Sequence, residues 1–171
     1  MNFTSIPGHP RYEISECGIV LDLKTGKCIA SRVNNKGYSL CHIWLESGKR
    51  TSRQIHVLLA IAFIPNPDNK PEVDHIDCNK SNNSLDNLRW ASYQEQQWNK
   101  ITKGWTQRPN LTTKPYLVRI TNNSGKNIFL GYFATSDEAQ IVYEEKCIEW
   151  RGVFAPKIYH ENKRLRQLIA N

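Results

Sequence analysis

Asp74 and His75 stand side by side near the start of the stretch EVDHIDCNKSNNSLDNLRWAS, and asparagine, serine and aspartate dominate the residues after them. A loop that only connects two elements can be far shorter and needs none of this chemistry. The carboxylate of Asp74 can ligate one hard divalent cation. Mg²⁺ takes oxygen ligands and keeps several waters, so one or two protein groups plus substrate phosphate oxygens suffice. The His75 side chain points to the opposite side of the strand. A neutral imidazole takes a proton from water at physiological pH, which suits His75 as general base for attack on phosphorus. The cation then stabilises charge on the phosphate and the leaving oxygen. Asn79, Asn82 and Asn83 read as turn formers, because asparagine tolerates left-handed backbone and caps backbone groups. His56, within an apolar run, reads as structural, and Trp90 and Trp98 as core residues.

Four elements must position this pair. The pattern predicts a short strand Val73–His75, a polar loop, a strand Leu88–Ala91 and a helix from Tyr93 towards Lys103, where Gly104 can end it. Ser92 with Glu95 fits a capping box, in which the serine oxygen and the carboxylate satisfy orphan amides at the helix start. Upstream, Ile55–Ile64 is nearly all apolar and is stopped by Pro65 and Pro67, which predicts a buried helix. Residues 1–54 read as a small antiparallel β module with strands Tyr12–Ser15, Gly18–Asp22, Tyr38–Leu45 and Thr51–Gln54 between turns. Downstream, strands Tyr116–Thr121 and Ile128–Phe133 flank the turn N-N-S-G-K, and a helix Ser136–Trp150 comes next, capped by Thr135 and Glu138 and closed by Gly152. Ala139, Val142, Tyr143, Lys146, Cys147 and Trp150 mark its inward face. Residues 161–171 form a basic tail that docks or frays.

The chain of 171 residues carries 23 Lys+Arg against 16 Asp+Glu, for a net charge of +7. The excess is uneven. Residues 1–100 hold 12 basic and 10 acidic side chains (+2), and residues 101–171 hold 11 and 6 (+5). The C-terminal part is therefore the more attractive to a polyanion. The five cysteines are widely spaced with no C-x-x-C pair, which predicts reduced thiols rather than a disulfide framework or a structural zinc site. No leader and no apolar run of membrane-spanning length is visible, so the expectation is a cytoplasmic protein without a membrane partner.

The run D-H-x-D-x-N-K-x-N-N-x-x-x-N-L-R-W, from Asp74 to Trp90, resembles the HNH nucleases of the ββα-metal class, particularly the phage homing endonucleases. The resemblance extends to IPGHPRYEISECGIV and QIHVLLAIAFIPNP, similar to the N-terminal nuclease-associated module of such enzymes. It implies that His75 activates water, that Asn87 steadies the intervening loop, and that Asp74 and a helix residue hold one Mg²⁺ or Mn²⁺. The family usually has asparagine or histidine nine positions after the central asparagine, where this chain has Gln96. Three readings stay open: Gln96 ligates with its longer arm, Asn99 takes over, or the site is weakened.

Residues 104–157, with PYLVRIT, NIFLGYF and T-S-D-E-A-x-x-x-Y, resemble the Apetala-two or ethylene-response-factor DNA-binding domain. That resemblance implies a three-stranded sheet in the major groove of duplex DNA with a helix packed behind it. The fold expected is α+β in small modules: an antiparallel β unit (1–54), an HNH ββα-metal core (55–103), a sheet-plus-helix domain (104–160) and the tail. Candidate DNA contacts are Arg50, Arg53, Lys80, Arg89, Trp105, Arg108, Arg119 and Lys126. The function expected is a site-specific DNA endonuclease that nicks one strand by default, having one active-site set. The alternative is a non-cleaving DNA-binding protein on a degenerate HNH core.

Overall fold

The computed structural model describes residues 1–122 and 124–169. Asn123 of the expected N-N-S-G-K turn, and Ala170 and Asn171 of the expected tail, lie outside the described residues. The chain divides into two units, 1–96 and 97–171.

The first unit opens with a four-stranded antiparallel meander, β1 (Phe3–Ser5), β2 (Tyr12–Ser15), β3 (Val20–Asp22) and β4 (Lys27–Ile29). A second sheet of three strands comes after it: β5 (Arg32–Val33), β6 (Ser39–Trp44) and β7 (Arg50–Gln54). β1, β4 and β5 are short and mostly exposed. They lack the apolar alternation that marks a half-buried strand, so pattern alone misses them. Helix α1 (Ile55–Phe63) starts directly after β7 and buries Ile55, His56, Leu58, Leu59 and Ala60. Ile55, Leu58, Leu59 and Ala60 pack with Ile6, Ile14, Val20, Ile43, Val73 and Leu88 in one core. The expected N-terminal module and the segment holding Asp74 and His75 therefore share their hydrophobic interior. Each fully buried Ile or Leu there contributes about 1.5–3 kcal/mol. Gly18 fits this arrangement twice over: its φ is +81°, and a Cβ would lie 2.7 Å from Ile55 Cγ2.

A two-stranded antiparallel ladder, β8 (Glu72–His75) and β9 (Leu88–Ala91), then leads into α2 (Tyr93–Trp98). The capping box is present in both halves. The Ser92 amide donates to Glu95 Oε2 at 2.7 Å, and the Glu95 amide donates to Ser92 Oγ at 3.2 Å. Lys70 Nζ pairs with the other Glu95 oxygen at 2.9 Å, which fixes the helix start from outside. The helix ends at Trp98 instead of running towards Lys103; Asn99 lies past its end.

In the second unit β10 (Trp105–Gln107), β11 (Tyr116–Thr121) and β12 (Asn127–Phe133) form an antiparallel sheet, and α3 (Ser136–Arg151) packs on it. Its N-cap Thr135 accepts from the Glu138 amide at 3.2 Å. The Glu138 carboxylate reaches back one residue further than a capping box requires, to the Ala134 amide. The expected tail is a helix: α4 (Lys157–Ile169) docks through Tyr159, whose hydroxyl bonds the Thr102 backbone, and through Asn162 and Arg166, which both donate to buried Glu144. A carboxylate buried on α3 is the signal that composition hides, because its partners lie 18 and 22 residues away.

Gly104 is set by close approach. A Cβ built there would sit 2.0 Å from Tyr143 Cγ. Gly104→Ala is expected to destabilise the 97–171 unit by about 3 kcal/mol. Hydrogen exchange of the intact chain checks this: β11 amides should lose protection while β2 amides keep theirs.

Candidate active site

Antiparallel register places Asp74 opposite Arg89 and His75 opposite Leu88. Neighbouring residues on a strand face opposite ways, so one strand end presents the carboxylate on one side and the imidazole on the other. Arg89 Nε and Nη2 both donate to Asp74 Oδ2, at 2.9 and 2.8 Å. The two side chains are 15% and 9% exposed, so solvent screens the pair little.

Just past β8 the chain turns sharply. The Cys78 amide donates to the His75 carbonyl at 2.9 Å, and the Ile76 amide donates to the Asn87 carbonyl, extending the ladder by one bond. The left-handed residue of this loop is Cys78, at φ 63°, and none of the asparagines. The asparagines instead cap backbone. Asn79 Oδ1 accepts from the Ser81 amide and Asn82 Oδ1 from the Ser84 amide. Asn87, only 8% exposed, closes the loop: its Oδ1 accepts from the Asp77 amide at 3.0 Å, and its Nδ2 donates to Asp77 Oδ1 at 2.9 Å and to the Asn82 carbonyl at 2.8 Å. Burial pulls the Asp77 carboxyl upward, yet hydrogen bonds from Asn82, the Asn79 amide and Asn87 outweigh it and hold it below its ordinary value. The loop is thus organised around a carboxylate that remains charged.

The His75 ring is 5% exposed and is gripped from two directions. Its Nε2 lies 3.1 Å from Asn83 Oδ1. An amide oxygen only accepts, so Nε2 is the donor in this contact. On its flank the His56 ring of α1 lies 4.7 Å away, centroid to centroid, and Tyr38 stacks on His56 at 5.2 Å. Lys80 Nζ sits 4.8 Å over the Tyr38 ring and donates to the Lys36 carbonyl. Burial, and after it the neighbouring His75, pushes His56 down to about 4. His56 is therefore neutral at working pH, and its Nδ1 is buried with no hydrogen-bond partner.

Among the described residues no three or more His, Cys, Asp or Glu side chains form a group that could hold a metal. A cation bound at Asp74 would draw on one carboxylate, an amide oxygen from α2, water and phosphate. This donor set fits Mg²⁺ or Mn²⁺ and does not resemble a closed zinc site. Gln96 is the fourth residue of α2, half-buried, and its backbone N–H donates to the Ser92 carbonyl. Asn99 is 5% exposed and belongs to the other unit.

The structure thus gathers Asp74, His75, Asn87 and Gln96 in one unit. Arg89 and Lys80, read as DNA contacts from sequence, are turned onto Asp74 and Tyr38. Arg53 bonds Thr51 Oγ1 and the Ser52 carbonyl, while Arg50 is exposed. In the second unit Arg108, Arg119 and Lys126 are exposed, and Trp105 packs edge-on against Tyr116 beneath Lys103 Nζ. Asn83, His56 and Tyr38 lie against His75, and Asp77 against Asn87, contacts that the sequence does not announce. The strand register is a usable signal for the Asp74–Arg89 pair; nothing local announces the Tyr38–His56 wall.

A family model described as HNH endonuclease matches residues 53–97. H-N-H endonuclease F-TflII of Escherichia phage T5 is 36% identical over 131 residues, covering 75% of this chain and 66% of that protein. DNA endonuclease I-HmuI of Bacillus phage SP01 is 32% identical over 123 residues, covering 71% and 68%. HNH endonuclease L245 of Acanthamoeba polyphaga mimivirus is 38% identical over 93 residues, and the match spans only 28% of its length. The solved structure of I-HmuI, a study of DNA binding and cleavage by that homing endonuclease, aligns with a TM-score of 0.53 at 24% identity, over 87% of this chain and 82% of the other. The fold is shared.

Asn87→Ala removes three hydrogen bonds from the loop and is expected to cost about 2–3 kcal/mol, read by denaturant unfolding of the 1–96 unit. For His56 the folded pKa lies below the unfolded 6.5. The unfolded chain therefore takes up a proton first as pH falls. Stability is fully present above about pH 6.5 and declines towards pH 4, by about 3 kcal/mol in all. His56→Phe should flatten that part of the pH–stability curve.

Proposed function

Because this chain belongs to the HNH endonuclease family, we propose that it is a DNA endonuclease hydrolysing phosphodiester bonds at the β8–loop–β9–α2 site. The observation that carries this reading is the placement of His75 beside Asp74 at the end of β8, with Asn83 on its Nε2. His75 takes a proton from the attacking water. Asn83 holds the tautomer, and the His56 ring fixes the imidazole's tilt. Asn87 keeps the loop from splaying, so the general base stays within reach of the phosphorus. Asp74 and Gln96 would hold one Mg²⁺ or Mn²⁺, which would supply charge neutralisation at the phosphate and leaving oxygen. One active-site set in one chain implies nicking of a single strand.

Affinity and choice of site fall to surfaces outside this loop. The exposed side chains of the second unit's sheet include Thr106, Arg119, Phe129 and Tyr132, with Arg119 paired across the strands to Phe129. With Arg108 and Lys126, this face suits duplex DNA, arginine for base edges and lysine for phosphate. Arg50 supplies phosphate contact from the first unit.

Gln96 favours a second reading, a protein that binds duplex DNA without cutting it. Its side chain is one methylene longer than asparagine's, and Mg²⁺ demands near-ideal octahedral geometry. Supercoiled plasmid DNA carrying the target, incubated with Mn²⁺ or Mg²⁺, separates the two. The endonuclease reading expects conversion to open circles, a loss of about 10²–10⁴-fold in His75→Ala, and a rate in Gln96→Asn equal to or above the unmodified protein's. Tight duplex binding without metal-dependent nicking by either the unmodified protein or Gln96→Asn would establish the second reading.

A further inference from the structure

Arg89 is placed where a metal's charge has to go. Its Nε and Nη2 close on one oxygen of Asp74, the proposed carboxylate ligand. The two residues are directly opposed in the β8–β9 ladder, so the register brings the guanidinium within reach of the carboxylate. Both side chains are largely withdrawn from solvent, at 15% and 9% exposure, so neither water nor salt weakens the attraction much.

The charges of Asp74 and Arg89 sum to zero, and the side-chain amide of Gln96 adds none. A dication approaching Asp74 meets a carboxylate whose charge is already answered by a fixed cation. We propose that Arg89 is an internal counter-cation that competes with the divalent metal for Asp74, so that metal loads fully only when the guanidinium turns to another anion. This rests on the reading of Asp74 as metal ligand. A phosphodiester is an anion that arginine engages in the same two-pronged way as a carboxylate. DNA arrival and metal loading are then linked, each strengthening the other, as any pair of coupled binding events must be. The free protein is held in a weakly metallated state, and Arg89 acts as a positioning residue through Asp74.

The test is Mn²⁺ binding to the intact protein without DNA, read by titration calorimetry or by the paramagnetic signal of free Mn²⁺. No cleavage enters the readout. Arg89→Gln removes the competing charge and should bind Mn²⁺ about tenfold more tightly than the unmodified protein. Arg89→Lys keeps a cation but has no planar fork, and should fall between the two. If Arg89→Gln does not fold by circular dichroism, the Arg89→Lys comparison decides alone. Adding Asp74→Asn to either variant should abolish the gain. Mn²⁺ affinity equal to or below the unmodified protein's in the folded variants overturns the proposal, because Arg89 would then be supporting the ligand instead of opposing the metal. A gain that survives Asp74→Asn also overturns it, and locates the failure in the assignment of Asp74 as ligand.

Discussion

The short β8–β9 ladder is the constraint on which the site depends. Its register sets Asp74 against Arg89 and leaves His75 as the last paired residue before the chain turns. Slipping a strand by one residue would exchange its two faces, moving Asp74 to the face His75 now occupies and His75 away from α1. Two interactions prevent that slip. The buried ion pair would leave a charge uncompensated if broken, at about 3–5 kcal/mol. Asn87 ties the far end of the loop to the Asp77 backbone and to Asp77 itself. A ladder of four residue pairs with a long polar loop has little reason to be unique without them.

That ladder is in turn held by the core it shares with the N-terminal sheets. Val73 and Leu88 pack with Ile55, Leu58 and Leu59 of α1, and Trp90 Nε1 donates to the Ile64 carbonyl at the helix end. The same helix carries His56 to the flank of His75. A buried imidazole with an unpartnered nitrogen is a cost an all-apolar core position would not carry, typically about 1–3 kcal/mol. It sits among Ile, Leu and Ala on the buried side of α1, with its ring against His75. The N-terminal β module thus reaches the loop after β8 through Tyr38, His56 and Lys80.

Much of this is legible in the sequence because the signals are local. The strands Tyr12–Ser15, Leu88–Ala91 and Tyr116–Thr121, the start of α1 at Ile55 and the Ser92–Glu95 cap all arise from patterns a few residues long. Asn87 makes three hydrogen bonds within the loop. What the sequence hides is long-range. The edge strands β1 and β4 have no alternation to read; α2 stops at Trp98 although the sequence holds no breaker before Gly104. The helical tail is held by Glu144, whose burial only the fold reveals. Arg89 and Lys80 read as solvent-facing cations from sequence, because charge says nothing of direction until the register is known.

Asp74 and Gln96, holding one divalent cation beside His75, are the centre of this account. A crystal of the protein with DNA, grown in Mn²⁺ and measured at the manganese absorption edge, tests it directly. A single anomalous peak is expected about 2.1 Å from an Asp74 carboxylate oxygen and the Gln96 amide oxygen. A peak ligated elsewhere, or none at Asp74 with DNA seated in the site, would contradict it.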